Sequence, residues 1–401
     1  MMALLPIDEA RNRILNAVRP LSVETIPLES ALGRVTAQTI AAKRDQPPFN
    51  ASAMDGYALR HADMVRLPAR LSVIGTSAAG HAFKGKLNSG QAVRIFTGAP
   101  VPQGADTVVI QENATADGDH VTIDEPTALG RNIRMRGLDF AKGDVLVPAG
   151  TKLNARDIGL AASGNTHMIR VRRKPLVAIL TTGDELVLPG TKARLDQITS
   201  SNNHALIAFA QSCGADVLNL GIVPDKLPLI IKAIKHAARA DVLITTGGAS
   251  VSDHDFMQEA LNKSGVKIAF WKIAMRPGKP FMFGTRGKLR VLGLPGNPVA
   301  ALVCARLFLK PVLAMMSGLP MEDAPHLAQL GNDLAANDQR QDYLRATLIT
   351  QPDGTRIATT AKKQDSSMQR VMREAGCLII RPPHAPTAKA GELHPVLLLD
   401  W

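Results

Sequence analysis

LVAILTTGDE (Leu176–Glu185), DVLITTGG (Asp241–Gly248) and VLGLPGNP (Val291–Pro298) share one pattern. In each, a nearly continuous apolar run (Leu176 to Leu180, Asp241 to Ile244, Val291 to Leu294) breaks into a loop of Thr, Gly or Pro. Apolar runs of this length without alternation suit strands covered on both faces, the condition of a parallel sheet clad by helices. Segments of helical spacing, Asn203 to Ser212, Leu227 to Ala240 and Pro298 to Met315, alternate with those runs. The reading is a three-layer α/β domain. Open α/β sheets take ligands beyond the C-terminal ends of their strands. The loops TTGDE, TTGG and LPGNP are therefore expected to converge on one pocket.

The flanking segments have other rhythms. Ile7, Ala10, Ile14, Leu15 and Val18 recur at helical spacing until Pro20, and a short helix is expected through Glu29 to Leu32. Asp45 to Asn50 (DQPPFN) reads as a linker. From Leu71 to about Pro148 the pattern turns to short β-type runs: Ala92 to Phe96, Thr107 to Gln111 and Val121 to Ile123, with Asp117-Gly118 placed for a tight hairpin. A helix near Asn154 to Ala162 follows. Beyond Pro325 the pattern is β again, with Pro352-Asp353-Gly354 turning Leu344–Thr350 back into Thr355–Thr360, and later strands at Cys377 to Ile380 and Val396 to Leu399.

Composition narrows the class. The 401 residues exceed one ordinary core, and 45% hydrophobic with 20% charged residues is globular. Lys and Arg outnumber Asp and Glu by 47 to 35, which favours an anionic partner. The charge is dispersed, with Arg170, Arg172, Arg173 and Lys174 its densest cluster, and Tyr and Trp number two each. That leaves few stacking platforms and argues against nucleic acid. Cys213, Cys304 and Cys377 are far apart and form no CxxC, so neither a disulfide framework nor structural zinc is expected. No signal peptide is read at the N-terminus, and the longest apolar stretch, Pro298 to Met316, carries Arg306 and Lys310 and reads as a buried helix. A cytoplasmic enzyme with no membrane contact is the expectation.

Several stretches can carry chemistry. Glycines in TTGDE and TTGG let backbone amides approach a phosphate, with Thr182, Gly183, Gly247, Gly248 and Ser250 nearest to it. Glu185, Asp225 and Asp255 fall just past predicted strands or at helix starts, where oxygen ligands beside a phosphate suggest Mg²⁺. Helix capping explains any one of them as well. Arg276-Pro277-Gly278-Lys279-Pro280, with Lys272, is a rigid basic segment suited to gripping an anion, or an ordinary rigid turn with solvated charges. Asn50 to Ala58 (NASAMDGYA) fits neither a typical strand nor a typical helix, and an acid held in such a turn suggests a site. Phe96-Thr97-Gly98-Ala99 and Arg134 to Asp139 (RMRGLD) share that quality. GxSxG, GxGxxG and zinc-spaced histidines are absent.

Seven motifs occur in order: MDGYA (Met54–Ala58), FTGAPVPQGAD (Phe96–Asp106), RMRGLD, TTGDEL (Thr181–Leu186), TTGGASVSDHDF (Thr245–Phe256), RPGKP (Arg276–Pro280) and LPGNPVA (Leu294–Ala300). Over nearly the whole chain the sequence resembles the molybdopterin molybdenumtransferases, the MoeA family, to which the C-terminal region of gephyrin is also similar. The resemblance implies a discontinuous N-terminal domain (1–46 with 140–172), an inserted β domain (47–139), the molybdopterin-binding α/β domain (173–320) and a C-terminal β-barrel-like domain (321–401). It also implies a homodimer whose active site lies at the subunit junction. Adenylylated molybdopterin and molybdate would be the substrates, Mg²⁺ the metal and AMP a product, with other cofactor-biosynthesis proteins as further partners.

Carried over by position, Asp55, Thr97, Arg134 and Asp139 form one share of that site. Glu185, Asp225, Asp255, Lys272, Arg276, Lys279, Pro295 and Pro298 form the other, with Glu185, Asp225 and Asp255 as metal ligands. The family's second basic position can be Lys where this chain has Arg276, and SVG commonly stands where this chain has Ser250-Val251-Ser252. Asp255 is preferred to Asp253 because Phe256 matches the family's usual Tyr. Two rival functions are a non-catalytic dimeric scaffold and the adenylyl-transfer step.

Overall fold

The computed structural model describes residues 4–247, 256–320 and 324–401. Contacts divide the chain into two compact units. One comprises Thr25–Leu32 with Gln38–Arg170; the other comprises the chain up to Glu24, Gly33–Ala37 and Val171–Trp401.

The smaller unit is built on six strands: β1 (Gly56–Leu59), β2 (Ala69–Ser77), β3 (Gln91–Ile95), β4 (Thr107–Ile110), β5 (Ala114–Asp117) and β6 (His120–Ile123). Their order is β4-β1-β3-β2-β6-β5, antiparallel except for the parallel β2–β3 pair. The expected Asp117-Gly118 hairpin joins β5 to β6, with Asp117 opposite His120. MDGYA departs from its reading as a turn: Gly56–Leu59 is an inner strand, and all four of its residues are buried. Burial on both faces removes the alternation by which a strand is recognised. Gly56 is required there, because a β-carbon would lie 1.9 Å from the Val109 carbonyl oxygen of the neighbouring strand. Tyr57 and Leu59 pack with Leu71, Val109 and Ile123 on one face, and Ala58 with Ile95 and Val108 on the other. Helix Ala155–Ser163 begins where expected. The Asn154 side chain accepts from the amides of Arg156 (2.8 Å) and Asp157 (3.3 Å), and the Asp157 carboxylate accepts from the Asn154 amide in return. At Glu29–Leu32 the anticipated helix is only a single 3₁₀ turn, Leu28–Ser30.

The larger unit holds the α/β sheet: β7 (Leu176–Thr182), β8 (Asp216–Val223), β9 (Val242–Thr246), β10 (Lys267–Phe270), β11 (Met282–Arg286) and β12 (Leu289–Leu294). The order is β8-β7-β9-β12-β11-β10. The first four strands are parallel; β11 pairs antiparallel with β12, and the edge strand β10 pairs antiparallel with β11, which makes the sheet mixed. Alternate residues of β7 face opposite layers. Val177 and Ile179 pack with Phe209 and Leu292 among others, whereas Ala178 and Leu180 pack with Ile234 and Val291. Helices Asn202–Ser212 and Pro298–Cys304 belong to the first layer, Leu227–His236 and Phe256–Lys263 to the second. Each fully buried aliphatic side chain contributes about 1.5–3 kcal/mol, so apolar residues on every face of these strands commit them to the sheet's centre. At the opposite end from the loops, the Asp241 carboxylate takes two N–H groups of Arg173 (2.6 and 2.7 Å) and the Leu176 amide (2.8 Å), tying β7 to β9.

Strand β8 carries no continuous apolar run, because it is an edge strand with no fully buried residue. The helical stretch Pro298–Met316 is long and apolar enough to cross a membrane by composition, but 78% of it is buried inside the protein.

The end of the chain forms a closed five-stranded barrel: β13 (His326–Leu330), β14 (Gln341–Thr350), β15 (Arg356–Thr360), β16 (Cys377–Arg381) and β17 (Leu393–Leu398). Hydrogen bonding runs β14-β15-β13-β17-β16 and back to β14, which leaves no open edge. Ala328, Ala346, Ala358, Ile379 and Val396 fill its interior.

Candidate functional site

The parallel register sets the position of the loops. Thr181 lies opposite Thr246, Thr246 opposite Leu294, and Thr182 opposite Val223. Four strands therefore end together, and TTGDE, Pro224-Asp225, Gly247 and LPGNP leave the sheet at one edge, as the sequence predicts. Gly247 sits at φ +88°, and a β-carbon on it would lie 2.1 Å from the Thr182 carbonyl oxygen. No other residue lets these two loops approach so closely.

A cleft of about 460 Å³ opens there. Thr181, Thr182, Glu185, Ser200, Asn202, Gly247, Gly296 and Pro298 line it, with Ser367 and Gln369 closing one side. Asn202 braces the loops: its Nδ2 donates to Thr246 Oγ1 (3.0 Å) and to the Gly296 carbonyl (2.6 Å), while Thr246 Oγ1 donates to the Pro295 carbonyl (3.3 Å). Asn297 Nδ2 donates to Ser366 Oγ (2.7 Å) and Gln369 Nε2 to Ser201 Oγ (2.8 Å), which ties the barrel's 366–369 segment to the same wall. The hydroxyls of Thr181 and Ser200 are buried and lack a hydrogen-bond partner among the described residues, while that of Thr182, equally buried, faces the Asp225 carboxylate. A buried polar group without a partner costs about 1–3 kcal/mol. Two such groups in one cleft mark a place where a polar ligand completes the wall.

Beside the cleft stand Asp184, Glu185 and Asp225. The Asp225 amide donates to Asp184 Oδ1 (3.1 Å). Burial raises the Asp225 carboxyl above the usual carboxylate range, and the nearby charges of Asp184 and Glu185 raise it further. Among the described residues these carboxylates do not form a cluster of three placed to hold a metal ion, although oxygen donors are the kind a hard cation takes. Gly248, Ser250 and Asp255, anticipated as the rest of this group, lie outside the described residues, as does Asp253.

The basic segment has a different setting. Lys272, Arg276 and Lys279 do not line the cleft. Arg276 faces the barrel, where its guanidinium donates to Asp342 (2.9 Å) and pairs with Asp338 (2.8 Å). Residues Met275–Arg276 also pair with Gln341–Asp342 of β14. The sequence reading of Arg276 as a free anion grip did not anticipate these carboxylates, since they are more than 60 residues away. Lys272 and Lys279 form no ion pair among the described residues.

In the smaller unit, Asp55 and Thr97 meet directly: Asp55 Oδ1 accepts from both the Thr97 amide and its hydroxyl, each at 2.7 Å. These donors hold the Asp55 carboxyl below its ordinary value, with Arg94 adding a smaller effect. The Arg94 guanidinium lies 5.0 Å from the ring centres of both Tyr57 and Phe96. Arg134 is brought close by pairing of Ile133–Arg134 with Ala51–Ser52, and Ser52 in turn bonds Gly98 and Ala99 through the backbone (both 2.9 Å). Asp139 sits further along the same loop, its amide donating to the Gln46 carbonyl (2.9 Å). Phe49, Met54, Phe96, Met135 and Leu138 on these segments are exposed.

Sequence reasoning missed Asn202, Ser200, Ser367 and Gln369. The run Thr199-Ser200-Ser201-Asn202 before a helix was a visible signal of capping and polar lining. Ser367 and Gln369 carry no such signal, because only barrel closure brings them to the sheet edge.

Three family models match the chain: "MoeA N-terminal region (domain I and II)" over residues 5–164, "Probable molybdopterin binding domain" over 178–315 and "MoeA C-terminal region (domain IV)" over 328–399. The chain is 34% identical over 394 residues to the molybdopterin molybdenumtransferase of Haemophilus influenzae, covering 97% of each. It is 33% identical over 408 residues to that of Bacillus subtilis, covering 98% of this chain and 94% of the relative. Among solved structures, the molybdopterin biosynthesis MoeA protein of Pyrococcus horikosii superposes with a TM-score of 0.87 at 28% identity, covering 100% of both chains.

Proposed function

Because the chain belongs to the MoeA family of molybdopterin molybdenumtransferases, we propose that it inserts molybdenum from molybdate into adenylylated molybdopterin and releases AMP. The observation that carries this reading is the sheet-edge cleft, whose buried Thr181 and Ser200 hydroxyls are left without partners among the described residues. Hydroxyls and backbone amides of the Gly183 and Gly247 loops bind the diphosphate, and Gly248 and Ser250, outside the described residues, are proposed for the same role on sequence alone. Asn202 keeps the Pro295 and Pro298 loop in place against it. Glu185, Asp225 and Asp255 would hold Mg²⁺, and the bound ion would neutralise phosphate charge. Lys272 and Lys279 supply cationic groups for the metal oxyanion, and Arg276, braced by Asp338 and Asp342, keeps its segment in register.

The protein's share of the chemistry is positioning and charge compensation, since the dithiolene belongs to the ligand. Asp55, kept ionised by Thr97, works with Arg134 and Asp139 as a second set. Their loops carry five exposed apolar side chains, which supports a homodimer in which a second copy presents this set to the cleft. The dispersed positive charge favours anionic substrates and leaves no concentrated patch for nucleic acid.

The test mixes the purified protein with adenylylated molybdopterin, Mg²⁺ and molybdate. AMP and cofactor able to reconstitute a molybdoenzyme are expected together. If neither forms, the reading is wrong. ATP-dependent adenylylation of free molybdopterin would instead favour the preceding step, and a function that survives Asp55→Asn would favour a scaffold.

A further inference from the structure

On the other side of the TTGDE loop from the cleft lies a second cavity of about 450 Å³. Asp184, Leu186, Asn203, Asn219, Ile222 and Pro224 contribute to its walls. Leu186 lines both cavities, so the loop itself is the partition. The volume falls within the range of small-molecule pockets, roughly 300–1,000 Å³.

The chemistry of the second cavity differs from that of the first. Among the described residues both cavities lack Lys and Arg and each has one carboxylate, Glu185 in the cleft and Asp184 here; the second differs in having no Ser or Thr hydroxyl in its lining and in carrying the imidazole of His204. Among the described residues Asp184 makes no salt bridge and receives one hydrogen bond, at Oδ1 from the Asp225 amide. A carboxylate offers about four acceptor positions, so a pair remains for a ligand with two adjacent donors. Asn203 is 1% exposed and its Oδ1 has no partner among the described residues. That buried acceptor is a second unfilled polar position in the same wall. Leu186, Ile222 and Pro224 provide apolar surface for a flat ring.

We propose that this second cavity holds the aminopyrimidinone ring of the pterin, with Asp184 accepting from its ring N–H and its exocyclic amino group. The proposal rests on the function given above and names where one end of that substrate is read. The substrate has two heterocycles, and Asp184 separates them. An aminopyrimidinone presents its ring N–H and amino group side by side, matching both carboxylate oxygens. The corresponding edge of adenine sets one amino group beside a bare ring nitrogen, whose lone pair repels a carboxylate. The pterin then lies beyond the partition and the diphosphate in the cleft, with the TTGDE backbone between them.

The test uses fluorescence titration of the full-length chain with three probes: 2-amino-4-oxopteridine, its 2,4-dioxo analogue lumazine, and adenosine. A hydrogen bond to a charged group is worth about 1.5–3 kcal/mol, or at least tenfold in affinity. The native chain is expected to prefer the aminopteridine at least about tenfold over both others. Asp184→Asn, which sets an amide N–H against the donor edge, is expected to bring the three within about threefold. Ile222→Trp, which fills the cavity from β8, is expected to weaken the aminopteridine alone, with the melting temperature of both variants checked. Equal affinities in the native chain, no binding of the aminopteridine at millimolar concentration, or an unchanged preference in Asp184→Asn would each overturn the proposal. AMP release by the native chain is read separately. Turnover without an Asp184-dependent preference removes only the subsite; the preference without turnover removes only the enzymatic reading.

Discussion

Asp55 and Asp225 are both aspartates in loops at the ends of strands, and their surroundings act on them in opposite directions. Asp55 is half-buried and receives two donors from Thr97, so its charge is satisfied within the chain and its carboxyl titrates low. Asp225 is partly buried beside Asp184 and Glu185, so its charge is opposed within the chain and its carboxyl titrates high. The first arrangement is complete as folded. The second has a donor in Thr182 but keeps a net repulsion that a cation would relieve. Sites of the second kind are where a protein holds repulsion that a ligand relieves.

The largest effect is expected at the strand that carries Asp55. Gly56→Ala would place a β-carbon 1.9 Å from the Val109 carbonyl, and the clash is expected to cost about 3 kcal/mol or more. Urea denaturation checks it: an unshifted midpoint would mean that close strand approach is not what holds the Asp55 loop. Next is Asp225→Asn. It should lower AMP release at least about a hundredfold while raising the melting temperature of the metal-free protein, because a repelled charge has been removed. A fall in both would break the contrast with Asp55.

Thr97→Val has a smaller effect. It removes the hydroxyl donor and leaves the amide, so the Asp55 midpoint followed by carboxyl ¹³C NMR should move up yet stay below 3.8. The folded value is depressed, so the interaction stabilises above 3.8 and is lost as pH falls through the folded midpoint. A midpoint unchanged in the variant would show that the hydroxyl plays no part. The smallest effect belongs to Asp338, which Arg340 and then Arg276 hold at about 2. Asp338→Asn should lower the melting temperature slightly near neutrality. The difference should shrink as pH drops from 3.8 towards about 2, since the native carboxylate is then protonated.

Much of the α/β sheet was legible because its inner strands are buried on both faces and its loops follow at once. Val242–Thr246 and Leu289–Leu294 show this directly: every residue but one is buried. Strand Asp216–Val223 was not legible, since an edge position relaxes the demand for apolar residues. Gly56–Leu59 failed for the opposite reason, being buried on both faces but too short to declare a period. In the site, TTGDE and LPGNP could be read because glycine and proline at strand ends are local signals. Gln369 and the Arg276 carboxylates could not, because barrel closure brings them into place.

By itself, the sequence determined the sheet's inner strands, the loops that end them and the family to which the chain belongs. These follow from patterns within a few residues: apolar runs, turn-forming glycines and ordered motifs. Only the tertiary structure decided that Asn202 braces two loops, that Arg276 turns towards Asp338 and Asp342, and that Asp225 and Asp55 titrate in opposite directions. A side chain's charge and hydrogen bonding depend on neighbours within a few ångströms, and those neighbours come from segments that are distant along the chain.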